Sequence, residues 1–359
     1  MAIRSKQINK IYDYYGAAGV IDKVDSYLFE ERLLLVGEDG ANLLSRNKNN
    51  AFLADGKYWV NNHAHVLDAI DKFILSYVAI VINSMKLDDY ITGSAQPKLS
   101  QDNLNKIPIF LPPLDEQKRI MAELEQWFTI IDKIEQGKID LQTTIKQAKS
   151  KILDLAIHGK LVSQDPNEEP AIELLKRINP DFTPCDNGHS KKLPNGWTYC
   201  RLCDVLQITM GQSPKGDSIN KNKGIEFHQG KLCFTNKYLQ SSNTFTTEPT
   251  KLAEANSILL CVRAPVGIVN ITPRKICIGR GLCSLKPRKG NIDFYFYLLQ
   301  TLKESFEKQA TGTTFKAISG DIVKNEIIIL PPFLEQQRIV AKIEELFSVL
   351  NNIQNALEA

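Results

Sequence analysis

The strongest constraint on this chain is a gapless internal repeat with a period of 219 residues. The segment TGSAQPKLSQDNLNKIPIFLPPLDEQKRIMAELEQWFTIIDKIEQG, from Thr92, returns from Thr311 as TGTTFKAISGDIVKNEIIILPPFLEQQRIVAKIEELFSVLNNIQNA, with 16 of 46 positions identical. Solenoid repeats recur every ~20–50 residues, so a period this long duplicates a whole domain plus its connector. In each copy a β-branched stretch (Ile107–Leu111; Glu326–Leu330) meets Pro-Pro (Pro112, Pro113; Pro331, Pro332), and a long Pro-free amphipathic segment follows. The prolines stop the strand and pre-set a helix start, and Asp115 and Glu116 suit a helix N-terminus.

The segments after the prolines keep a strict 3-4 spacing. Ile120, Leu124, Trp127, Ile131, Ile134, Lys138, Leu141, Ile145, Ala148, Ile152 and Leu155 recur at steps of four and three, and only Lys138 is not apolar. The second copy shows Ile339, Ile343, Leu346, Leu350, Ile353 and Leu357 in the same register. A single amphipathic stripe also suits one helix of a compact bundle. A sustained 3.5-residue period appearing twice after a duplicated domain points instead to two long helices forming an antiparallel coiled coil. Gly159 and Pro166 end the first helix, and Pro170 opens a short one over Ala171–Ile178.

The expected fold is α+β: two strand-rich domains separated by two long helices. The first domain is read as 1–114, the spacer helix, short helix and linker as 115–190, the second domain as 191–332, and the second spacer helix as 333–359. In the second domain the clearest strands are Ser257–Val262, Val266–Ile271 and Lys275–Ile278, with a helix over Phe294–Lys308. The first offers strands at Arg32–Val36 and Tyr58–Val60 and a helix over Leu67–Asn83.

Composition excludes collagen-like, mucin-like and wholly disordered classes, since 43% of residues are apolar and 24% charged. No stretch approaches the ~18–20 apolar residues of a membrane span, and the start lacks a signal-peptide core. Seven cysteines, all after residue 184, do not suggest a secreted disulfide framework. A cytoplasmic protein is expected. The net charge of +3 conceals an uneven division: residues 191–330 hold 20 basic and 10 acidic residues, whereas 1–114 hold 12 and 13. A local excess of that size suits binding to a polyanion such as double-stranded DNA.

The basic residues of the second domain fall largely in loops beside Gly and Pro. Gln212, Lys215, Lys221, Lys223, Lys237, Arg263, Arg280, Thr313, Thr314 and Lys316 form the candidate DNA-contact set there. Asn42, Arg46, Lys48, Asn61, Asn62, His63, Gln96 and Lys98 form it in the first domain. Glycine lets backbone approach a phosphate, and Arg, Lys, Gln and Asn match base edges. Singly, each is an ordinary solvated loop residue; together they make the candidate contact face. Catalytic constellations are weak. His63 and His65 with Glu38 and Asp39 could hold a metal, but no spacing fixes a third ligand, and no metal site is expected. Cys200-Arg-Leu-Cys203 lacks a second pair and reads as core thiols. No nucleotide-binding glycine loop is present in the sequence.

These motifs resemble the specificity subunit of type I restriction-modification systems. The resemblance rests on Pro194-Asn-Gly-Trp197, both L-P-P-x-x-E-Q-x-R-I runs, AIHGKLVSQDPNEEPAIELL from Ala156, Gly211-Gln-Ser-Pro214 and Cys261-Val-Arg-Ala-Pro-Val-Gly267. It implies two target recognition domains, each reading half of a bipartite DNA sequence, with the helices setting the gap between half-sites. It also implies docking of two methyltransferase subunits and of restriction subunits. AdoMet, ATP and Mg²⁺ would belong to those partners, and this chain would be non-catalytic. Against the family pattern, the first domain is expected to lack its opening strands and the second helix to stop about 20 residues short of the first. A coiled-coil adaptor and a metal-dependent nuclease using His63, His65 and Glu38 are the competing expectations.

Overall fold

The computed structural model describes residues 10–93, 95–185, 193–312 and 316–358. Two compact units divide at Glu135/Gln136, inside the long helix. In the first, seven strands precede the main helix: β1 (Tyr12–Gly16), β2 (Gly19–Val24), β3 (Phe29–Glu30), β4 (Leu33–Gly37), β5 (Ala51–Ala54), β6 (Lys57–Val60) and β7 (Ala64–Leu67). Helix α1 (Asn42–Ser45) interrupts the β4–β5 connection, and α2 (Lys72–Ser84) and α3 (Gln101–Leu104) follow. The strands form two sheets, ordered β2-β1-β6-β3 and β5-β4-β7.

Every residue of β4 is buried, and its period-2 alternation explains why. Leu33 and Leu35 join Tyr58, Val60, Ala54 and Ala64 in one core, while Leu34 and Val36 join Leu75, Ala79 and Ile82 of α2 in the other. Helix α2 starts five residues later than the hydrophobic pattern suggests. Asp71 caps it by accepting from the Phe73 N–H, and Leu67 closes β7 instead.

The second unit begins within α4 (Leu114–Ile157) and continues through α5 (Ala171–Ile178), β8 (Thr198–Arg201), α6 (Leu202–Val205) and β9 (Leu206–Met210). Next come β10 (Ile219–Asn220), β11 (Ile225–His228), β12 (Phe245–Thr246), β13 (Leu252–Ala253), β14 (Ser257–Cys261), β15 (Val269–Thr272), β16 (Ile276–Ile278) and β17 (Leu282–Pro287). Helices α7 (Ile292–Thr301), α8 (Lys303–Gln309) and α9 (Gly320–Asn325), strand β18 (Ile327–Leu330) and helix α10 (Phe333–Glu358) complete it. The helix expected over Phe294–Lys308 is therefore two, broken at Leu302.

The sheets run β10-β12-β11-β16-β13 and β15-β14-β17-β9, with β18 pairing β8. Strands β11 to β17 thus repeat β1 to β7 one for one. The rare parallel pair recurs as well, β1 with β6 and β11 with β16. Duplication is visible in topology, not only in sequence. One expected strand fails: Ile107–Leu111 is irregular, whereas its repeat β18 is a strand. β18 has β8 as a partner, and among the described residues nothing pairs with Ile107–Leu111, so its backbone has no ladder to join.

The repeated motif after the prolines has a mechanical meaning. Gln336 donates its side-chain amide to the Pro331 carbonyl (3.1 Å), and Gln117 does the same to Pro112 (2.7 Å), fixing the turn from strand to helix. In the second unit Glu335 also accepts from the Trp197 indole N–H at 2.9 Å, and Arg338 pairs with Glu168. The Pro-Asn-Gly-Trp and Leu-Pro-Pro motifs therefore hold each other.

Within the second unit, α10 and the end of α4 run antiparallel. Lys149 of α4 donates to Asn351 and Gln354, while Leu153 and Ala156 share a core with Ile339 and Ile343. Ile145 is buried, and Ile152, Leu155, Leu346, Leu350 and Leu357 are half-buried. The seam read from the sequence needs correction elsewhere. Trp127, Ile131, Ile134, Leu141 and Ile353 are exposed, and Ile120 and Leu124 only half-buried. Residues 351–354 already lie opposite Lys149, so α10, described to Glu358, does not reach Leu141.

Candidate nucleic-acid interface

In the second unit five loops are tied into one surface by backbone hydrogen bonds. Gln212 N–H donates to Ile278 O, Gly279 N–H to His228 O, Val262 N–H to Gly281 O and Ala264 N–H to Lys316 O, at 2.8–3.0 Å. Arg280 N–H adds a bond to Ser213 Oγ. Two glycines permit this closeness. A Cβ on Gly211 would lie 2.2 Å from Gly279 O, and one on Gly281 would lie 2.2 Å from Gln229 O.

The structure thereby brings together Gln212, Arg263, Arg280 and Lys316, all exposed, none with a side-chain hydrogen bond or ion pair among the described residues. Lys215 begins the turn before β10, and Lys221 and Lys223 lie on the β10–β11 connection, also exposed. Thr313 and Thr314 lie outside the described residues. Lys237 does not belong to this surface. Its ammonium pairs with Asp293 (3.0 Å) and Glu344 (2.6 Å) and lies over the Tyr238 and Tyr297 rings. Despite burial, those carboxylates hold its pKa well above the ordinary lysine value, so it fastens α10 to the sheet domain instead.

Sequence reasoning missed Gln229 and Lys231. With Arg263, Cys261 and Pro265 they line a cleft of about 150 Å³. The only hint in the sequence was the Gln-Gly-Lys triplet beside β11. Burial pushes the Cys261 thiol up to about 12, so the wall it forms is a neutral thiol, not a nucleophile. Cys200 of the C-x-x-C pair is likewise buried, with its pKa raised by burial.

The first unit has the same loops with different chemistry. Asn42 bonds Lys48 O and Asn50 Oδ1, and Arg46, in a left-handed conformation, donates to Asn83 O, so both shape their loop. Lys98 pairs with Glu38 at 3.0 Å, and His63 Nδ1 lies 2.7 Å from Asp39 Oδ2. Asn61 accepts from the His63 N–H. Lys48, Asn62 and Gln96 are exposed. His65 Nε2 bonds Leu99 O, away from His63's partner, and no group of three or more His, Cys, Asp or Glu that could hold a metal occurs among the described residues. Arg, Lys and Gln on one glycine-tied surface can bind phosphates and read base edges, whereas the first unit's set is partly neutralised by its own carboxylates and offers fewer free cations to phosphate.

The chain is similar to known proteins over most of its length. The family described as the type I restriction modification DNA specificity domain matches residues 4–143 and 194–359. The inferred specificity subunit of type I restriction enzyme MjaX from Methanocaldococcus jannaschii is 34% identical over 280 residues, covering 76% of this chain and 60% of its own. The EcoAI specificity subunit from Escherichia coli is 29% identical, covering 66% and 46% respectively. The chain thus spans at most 60% of the length of these two relatives. A chain from a structure concerned with assembly and conformational transition of the type I R-M system is 25% identical with a TM-score of 0.64, covering 91% of this chain and 76% of that one. The HsdS subunit from Thermoanaerobacter tengcongensis shares the fold at 23% identity and a TM-score of 0.55, covering 92% and 76%. Because the family match takes in both duplicated units and most of the chain, the protein belongs to the type I restriction-modification DNA specificity family.

Proposed function

We propose that this chain is the DNA-reading subunit of a type I restriction-modification complex. Each sheet domain reads one half of a bipartite target, and the long helices carry methyltransferase and restriction subunits. The observation that supports this most is the surface around Arg263. Arg263, Arg280, Lys231 and Lys316 project from loops bonded to one another, and none is paired with a carboxylate among the described residues. Unpaired cations on a rigid surface gain by displacing counterions from phosphates, and arginine can also take guanine bidentately. The chain is non-catalytic in this reading, and AdoMet, ATP and Mg²⁺ are bound by partner subunits in the cytoplasm. No helix among the described residues is long and apolar enough to cross a membrane.

The test is to co-express the full chain with its methyltransferase subunits in a methylation-free host and sequence modified adenines in the genomic DNA. A single bipartite motif with a fixed gap is expected. Methylation scattered without a motif, or none with assembled complex present, would sink the assignment. DNA binding that is insensitive to salt between about 50 and 200 mM would favour the adaptor role instead.

A further inference from the structure

The gapless 219-residue register does not extend into the sheets, but the hydrogen bonds do. Glu38 N–H donates to His63 O, and Val262 N–H donates to Gly281 O. Leu99 N–H donates to Glu38 O, as Ile318 N–H does to Val262 O, and Gly40 N–H donates to Pro97 O, as Ala264 N–H does to Lys316 O. The isolated bridge between Asp39 and Lys98 recurs between Arg263 and Ala317. Four matching connections leave one alignment: Glu38 stands where Val262 does, and Asp39 where Arg263 does. Both residues lie two positions beyond the central buried strand, β4 or β14, on the loop that leaves it; Arg263 is exposed, and the Asp39 side chain is 19% exposed.

The side chains at this shared position are chemical opposites. Arg263 offers only donors, has no partner among the described residues, and shares its cleft with Gln229 and Lys231. Asp39 offers only acceptors. Its Oδ2 is held by His63 at 2.7 Å, while Oδ1 has no hydrogen-bond partner among the described residues. Resting on the DNA-reading assignment above, we infer that Asp39 and Arg263 occupy the same base-reading position in the two domains and read bases of opposite hydrogen-bond polarity. Arg263 takes an acceptor edge, guanine O6 and N7. Asp39, oriented by His63, takes a donor edge, the cytosine N4 amino group. Each half-site then has a defined base at the corresponding place, guanine in one and cytosine in the other on the contacted strand. One duplicated backbone reads an asymmetric target by changing a single side chain.

The test uses the same methylated-motif sequencing with Arg263→Gln and Asp39→Asn, each co-expressed with the methyltransferase subunits. An amide at either position matches adenine N6 and N7. Arg263→Gln should shift one guanine position of one half-site toward adenine by roughly 10-fold or more, leaving the other half-site intact. Asp39→Asn should shift one cytosine position of the opposite half-site by a comparable factor. The untouched half-site reports that each variant folds and assembles. An unchanged motif in both variants, changes confined to the same half-site, or an even loss across all sites would overturn the inference while the wild-type motif still upheld the assignment. Absence of any motif with the wild-type chain would overturn the assignment itself.

Discussion

Replacing Arg274 with methionine is the sharpest check on how the cleft beside Arg263 is held. Arg274 donates through Nε and Nη2 to Glu226 at 2.5 and 2.7 Å, and it also reaches Leu239 O. The Glu226 side chain is 11% exposed and accepts further bonds from the Ser242 N–H and from His228 Nε2. Burial alone would raise the Glu226 pKa, but these donors outweigh it and hold the group at about 2, against an ordinary 4.5. A difference of that size corresponds to roughly 3 kcal/mol of stability at neutral pH. It also agrees with the ~3–5 kcal/mol that follows from leaving a buried carboxylate without its partner. Glu226 lies in β11, three residues before Gln229, so its loss reaches the cleft wall directly.

The sign is fixed by linkage. Because the folded pKa is depressed, the stabilisation is complete above about pH 4.5 and disappears as pH falls through about 2. Arg274→Met should therefore lower the urea midpoint of the second unit, followed by the buried Trp197, by an amount equivalent to about 3 kcal/mol at pH 7. The gap to wild type should narrow steadily between pH 4.5 and pH 2. The double variant with Glu226→Gln should recover part of the loss, since it removes the orphaned charge. A drop below about 1 kcal/mol at pH 7, or a gap that stays constant down to pH 3, would refute the account of Glu226.

Other outcomes follow from the same contacts. Gly281→Ala places a Cβ 2.2 Å from Gln229 O, so it should displace the cleft loop and weaken one half-site of the methylation motif while leaving the other unchanged. Lys237→Met should loosen α10, with a loss of ~1–3 kcal/mol in thermal or urea unfolding, yet leave the motif unchanged; an altered motif would restore Lys237 to the contact surface. Ile343→Ala, at a fully buried junction of α10 with the end of α4, should lower stability by ~2–5 kcal/mol in the same measurement. Glu335 has its pKa raised by burial against the Trp197 bond, so the second unit should gain stability as pH falls through that raised value, and Glu335→Gln should abolish the gain.

The sequence was most legible where physics is local. Pro-Pro after a β-branched run, acidic residues in the first helical turn and an apolar 3-4 stripe each act over a few residues, and α4, α5, β18 and α10 lie where those signals put them. It was least legible where a partner far along the chain decides. Ile107–Leu111 and Glu326–Leu330 carry nearly the same pattern, but only the second has β8 to pair with. Lys237 looks like any loop lysine until Glu344, 107 residues away, is brought against it.

The position shared by Asp39 and Arg263 was hidden for a third reason. The connection from β4 to β5 is longer than that from β14 to β15 and contains α1, so an ungapped register slips across it. Loop length is under weak energetic control, because lengthening a closed loop costs little. The backbone bonds that bind the loops to the strands are under strong control, because a buried N–H without an acceptor is costly. Duplicated domains therefore lose register in sequence while keeping it in hydrogen bonds. That asymmetry suits the proposed reading role: a frame rigid enough to place one side chain at a fixed point, and loops free to change which side chain it is. The charge contrast follows from the same freedom. Between Lys215 and Arg280 the basic residues lie almost all in loops, while the cores of both domains are apolar. The two domains can thus differ in loop chemistry without differing in how they fold.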